Sequence, residues 1–129
     1  MSNAYLLDTN AAIAHINGVP SIKPILEAAD ELFTSVVVLG ELYFGAEKSG
    51  RVQQNKEQVE KFANEITVLN CNQETARIFG AVSHQLKLKG HLNQANDIWI
   101  AATALQYNLI LLTRDADFNH VDGLTIASW

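Results

Sequence analysis

Cysteine occurs once in this chain of 129 residues, at Cys71. That excludes an internal disulfide and suits a reducing, cytoplasmic setting. It also removes the thiolate clusters of structural zinc sites. The four histidines, His15, His84, His91 and His120, are too scattered to replace them. No run of about 18 apolar residues is present, so no membrane-spanning helix is expected. The N-terminus lacks the basic and apolar stretches of a signal peptide. Basic residues are scarce: nine Lys and Arg stand against 14 Asp and Glu, a net charge of −5. So acidic a chain is a poor passive binder of nucleic acid, because such binding rests on a basic surface. An enzyme acting on nucleic acid is not excluded, since bound cations and a few local basic groups offset phosphate charge.

What the chain does have is apolar mass: 48% of residues are hydrophobic and 18% charged. That is enough for a core in one domain, residues 1–129, with no repeat, linker or low-complexity segment. Short apolar runs alternate with longer amphipathic stretches, the pattern of a mostly parallel sheet between helices. Strands are expected at Tyr5–Leu7, Leu32–Ser35, Thr67–Leu69, Leu109–Thr113 and Leu124–Ala127. The Leu109–Thr113 run is apolar throughout until its last residue, as in a strand buried on both faces. Helices are expected over Ala11–Ile16, over Ser21–Ala29 with Pro24 in the first turn, and over Val36–Glu47 behind a Ser35 cap. Others are expected over Gln53–Glu65, over Gln73–Lys89 between an Asn72 cap and a Gly90 stop, and over Asn93–Tyr107.

Four acids stand at the edges of these apolar runs: Asp8, Glu41, Asp97 and Asp115. A carboxylate is costly to bury without a partner, so this placement needs a reason. Asp8 and Asp115 follow strands at their C-terminal ends, where open α/β sheets bind ligands. Glu41 and Asp97 lie in the first turns of helices that start at the same edge. The four can therefore converge, and their mutual repulsion is then relieved by a hard divalent cation. Singly, each reads better as a turn, solvated or helix-start acid. Together they suit metal-assisted phosphodiester cleavage.

At these residues the chain resembles the PIN-domain ribonucleases, and among them the VapC-like toxins of toxin–antitoxin pairs. The motifs are Leu6-Leu7-Asp8-Thr9-Asn10; Ser35 with Glu41-Leu42 and Gly45; Asn96-Asp97 with Ile100-Ala101-Ala102; and Leu112-Thr113-Arg114-Asp115 with Phe118. The resemblance spans essentially the whole chain. It implies a three-layer α/β/α fold and Mg²⁺- or Mn²⁺-dependent cleavage of RNA by an endoribonuclease toxin that inhibits growth. It further implies a cognate antitoxin over the acidic site and a homodimer. It places metal ligands at Asp8, Glu41, Asp97 and Asp115, with Asp117 a second choice at the fourth position. Val38 departs from the family, which often carries a hydroxyl there.

Around these acids, Thr9, Asn10, Ser35, Asn96 and Thr113 read either as groups that orient the carboxylates or as local caps. Lys48, Arg51 and Arg114 are candidate RNA phosphate contacts. Trp99 and Trp129 are candidate stacking residues, although Trp99, beside the buried helix, reads better as core. A noncatalytic partner-binding domain on the same fold is the alternative function. A response-regulator-like module would need a paired acid near the first strand and a strand-end lysine, which are missing.

Overall fold

The structure, a computed structural model, describes residues 3–129. Met1 and Ser2, part of the domain expected at 1–129, lie outside the described residues. Five strands form one sheet: β1 (Ala4–Leu7), β2 (Glu31–Ser35), β3 (Thr67–Leu69), β4 (Ile110–Leu112) and β5 (Ile126–Ala127). Their order is β3-β2-β1-β4-β5 and every pairing is parallel. A parallel neighbour needs a crossover, and the helices supply it: α1 (Thr9–Ile16) and α2 (Lys23–Glu27) lead to β2, and α3 (Val36–Glu47) and α4 (Val52–Glu65) lead to β3. The long return to β4 runs through α5 (Gln73–Leu88) and α6 (Ala95–Gln106).

Right-handed crossovers put α1 to α4 on one face of the sheet and α5 and α6 on the other. Packing follows: α3 lies along α4 and α1, and α5 lies along α6. The direction of winding reverses between β1 and β4, so the sheet's switch point lies beside Asp8. The central strands are sealed on both faces, with Leu6, Leu7, Leu111 and Leu112 fully buried. On α6, Ala101, Ala102 and Ala104 are also fully buried, which brings the helix close to the sheet. Thr34 and Thr75 are buried without strain because each has a partner: Thr34 Oγ1 donates to Leu7 O at 2.9 Å, and Thr75 Oγ1 bonds Asn72 and Gln106.

Local signals read correctly where they are chemical. Ser35 Oγ accepts from Val38 N at 3.1 Å and starts α3. Asn72 and Thr75 close a reciprocal cap on α5. Gly90, at φ +76°, ends α5 with His91 N bonded to Leu86 O at 3.0 Å. Asn108 takes the same left-handed turn after α6, at φ 54°. Several expectations shift, with α1 starting two residues early at Thr9 and β5 two residues late at Ile126. The helix expected at Ser21–Ala29 is a 3₁₀ turn (Pro20–Ile22) followed by five residues of α2, because Pro24 has no N–H to continue the earlier turn. The last long helix starts at Ala95, two residues late. A short 3₁₀ helix, Ala116–His120, occupies a stretch for which no element was expected.

Candidate active site

Each acid reaches the C-terminal edge of the sheet from a different element. Asp8 ends β1 and caps α1, its Oδ1 accepting from Thr9 N at 2.7 Å. Its Oδ2 accepts from Thr113 Oγ1 at 2.7 Å, and its own N–H bonds Leu112 O at 3.1 Å. Asp8 is thus fixed to β4 from both backbone and side chain. The Thr113 hydroxyl also accepts from Asp115 N at 3.0 Å. One buried hydroxyl therefore joins the end of β1 to the turn after β4.

Asp115 opens the 3₁₀ helix, with its Oδ1 accepting from Asp117 N at 2.9 Å. This Asx turn points the Asp117 side chain back toward Asp97. One oxygen each of Asp97, Asp115 and Asp117 lie within 4.8 Å of one another. Opposite ligands of a bound Mg²⁺ sit about 4 Å apart, so small side-chain rotations bring these oxygens to a hard cation. Glu41, from the second turn of α3, approaches from the other side, where Thr9 Oγ1 donates to its Oε1 at 2.8 Å.

Together Asp8, Glu41, Asp97, Asp115 and Asp117 line an open, mostly polar cleft of about 440 Å³. Thr9, Asn10 and Gln94 contribute polar walls, and Ile13 and Leu92 apolar ones. Asn10 Oδ1 is buried and has no hydrogen-bond partner among the described residues. An orphaned oxygen beside a carboxylate cluster fits a cation or its water.

The acids repel one another. Asp97 is pushed up to about 6, first by burial and then by Asp115, Asp8, Glu41 and Asp117. Burial also raises Asp8, although the Thr113 and Thr9 bonds oppose it. Asp97 takes up its proton in the folded chain at about 6, but near 3.8 when unfolded. Between these values the folded state binds the extra proton, so stability is greatest at the acid end and is lost as pH rises through 6. Because solvent reaches this carboxyl, the effect discounts to about 1 kcal/mol. Melting curves in a chelator should therefore rise by a few degrees from about pH 7 to about pH 5. Saturating Mn²⁺ should flatten the trend, and a flat profile without metal would refute the repulsion.

The other sequence candidates fall in different places. Thr9 and Thr113 are in the acid network, and Asn10 lines the cleft. Ser35 is buried and caps α3, and it does not line the cleft. Asn96 faces the neighbouring groove. Arg51 is exposed before α4. Arg114 is stacked on Trp129 at 4.5 Å and donates to its carbonyl at 2.9 Å, outside the cleft lining. Lys48 stands over the Phe44 ring at 4.8 Å, beside the groove. Trp99 is half-buried and stacks on Phe79 at 4.1 Å. Gln94, Leu92 and Ile13 were not anticipated; nothing in their local sequence distinguishes them from ordinary helix and loop residues.

Comparison with known proteins agrees with this geometry. The model of the PIN domain matches residues 5–124. Ribonuclease VapC2 of Haemophilus influenzae is 34% identical over 128 residues, 97% of each chain. The tRNA(fMet)-specific endonuclease VapC of Shigella flexneri is 31% identical over 128 residues, again 97% of each. The structure of VapBC2 from Rickettsia felis, bound to a DNA fragment from its promoter, superposes with a TM-score of 0.89 at 27% identity, covering 98% of each chain. A whole-length match, the shared fold and the converging acids lead to one conclusion: this chain belongs to the PIN-domain family.

Proposed function

We propose that this chain is a divalent-metal-dependent endoribonuclease, the toxin of a toxin–antitoxin pair, working as one domain over residues 1–129. The observation that carries the reading is the convergence of five carboxylates on one open cleft at the sheet's switch point. The ribonuclease relatives support the substrate class, and the similar VapBC-5 of Mycobacterium tuberculosis, a member of the VapBC family of toxin-antitoxin systems, supports the antitoxin. In this reading Asp97, Asp115 and Asp117 hold Mg²⁺ or Mn²⁺ directly, and Asp8 holds or orients it from the sheet side. Asp117 thus joins Asp115 at the fourth position. A bound ion there makes a phosphodiester more electrophilic and its attacking water more acidic.

The chain's own groups do the rest. Thr113 and Thr9 fix the Asp8 carboxylate, so it would meet a cation without reorganising. Thr9 fixes one oxygen of Glu41 and leaves the other to accept a hydrogen bond from the attacking water. Asn10 Oδ1 is a further acceptor for that water. The enzyme acts with a cytoplasmic antitoxin that covers the cleft, and as a homodimer. Among the described residues no helix is long and apolar enough to cross a membrane.

The test is cleavage of total RNA by purified protein. Chelation should abolish cutting, and added Mg²⁺ or Mn²⁺ should restore it. Asp8→Asn should lose activity at least about a hundredfold. Undiminished cutting in chelator would end the metal-dependent reading; equal activity of wild type and Asp8→Asn would end the site assignment.

A further inference from the structure

Beside the acids lies a second and larger space, a groove of about 820 Å³ where α3 meets α6 over the sheet edge. It opens directly into the cleft, sharing Thr9, Ile13 and Glu41 with it. Its walls include Phe44, Lys48 and Trp99, and its floor runs along Gly40 and Gly45. Both glycines sit inside α3, where glycine weakens a helix relative to alanine. Neither has a left-handed φ, and a Cβ at either would meet nothing within 4 Å. Among the described residues, no packing or backbone demand therefore explains them. What they do is leave the groove open. Phe44 is 65% exposed, and Lys48 stands over its ring. Trp99 is braced from behind by its stack on Phe79.

We propose that this groove binds the single-stranded RNA next to the cut, with a base on the Phe44–Trp99 walls and its phosphate on Lys48. The inference rests on the ribonuclease reading above. Its direction is argued from continuity: a strand whose phosphate lies over Asp97 and Asp115 must leave the cleft, and of the hollows that adjoin it this one carries both aromatic walls and a lysine. Aromatic faces take any base, and the ammonium takes the backbone, so the groove supplies affinity that the acidic cleft cannot. It also sets a cation beside a cleft whose acids would otherwise repel RNA, in a chain of net charge −5.

Three variants test it, each read by total-RNA cleavage and by binding of a labelled mixed-sequence single-stranded oligoribonucleotide to the Asp97→Asn background with Mg²⁺. Phe44→Ala should weaken binding by about fivefold to a hundredfold, and raise KM more than it lowers kcat. Lys48→Gln should reduce the salt dependence of binding by about one unit of slope. Gly45→Leu should fill the groove and weaken binding, while its melting temperature holds or rises, because α3 loses a glycine. That pairing separates blocked access from damaged folding. Wild-type cutting that none of the three alters overturns the groove proposal alone and assigns the groove to a partner protein. Wild type that neither binds nor cuts RNA overturns the ribonuclease reading as well.

Discussion

Asp97→Asn is expected to lower RNA cleavage by about a thousandfold or more, while making the metal-free protein harder to melt. The two effects share one cause. Asp97 is the carboxylate most crowded by the others: burial, Asp115, Asp8, Glu41 and Asp117 together raise it to about 6. At neutral pH the folded protein holds this charge at a cost that the unfolded chain does not bear. An amide of the same shape removes the cost and also removes a ligand. Near pH 5, where Asp97 is largely protonated, the stability difference between the two proteins should shrink. Mn²⁺ should reverse the order at neutral pH, since an ion at a hundred times its Kd adds about 2.7 kcal/mol to the wild type. The variant should gain much less. Calorimetry with and without metal, alongside a cleavage assay, reads all of this. A variant that is inactive but melts below the metal-free wild type would show that Asp97 serves the fold rather than a cation.

The second large effect is on the turn that carries the fourth acid. Phe118 is fully buried in the 3₁₀ helix and anchors Asp115 and Asp117 against the core. Phe118→Ala should cost about 3–5 kcal/mol, lowering the melting temperature by on the order of 10 °C. Phe62, buried in α4 away from the acids, should cost a similar amount when cut to alanine. The two should differ in metal binding. At a temperature where both variants are folded, Phe118→Ala should lose Mn²⁺ affinity about tenfold or more. Phe62→Ala should keep it. Equal affinities, measured by Mn²⁺ titration, would mean that the turn holds its acids without its anchor.

Much of this was written in local chemistry. Asp8 and Asp115 follow apolar runs, and a carboxylate in that position is hard to read as anything but a strand-end group. Ser35, Asn72 and Gly90 announced helix boundaries because each does a job no neighbouring residue can do. The sharing of the fourth position was less legible. Asp115 and Asp117 look like alternatives in sequence, yet both reach Asp97, because an Asx turn folds the segment back. Spacing along the chain does not reveal that reversal. Nor could it separate Arg114 from a phosphate contact, since its engagement with Trp129 joins residues brought together only by the β4–β5 pairing. The groove was hidden for a related reason. Gly40, Phe44 and Lys48 share a face of α3, but only the approach of α6 gives that face a second wall.

The bond from Thr113 to Asp8 spans 105 residues. In a sheet whose neighbours are all parallel, such a contact closes only after the crossovers between have formed, and non-local pairings of this kind form late in folding. A chain still leaving the ribosome holds Asp8 and Glu41 long before it holds Asp97, Thr113 and Asp115. Until those later residues have been made and the crossovers between have closed, the nascent polypeptide holds only part of the cleft.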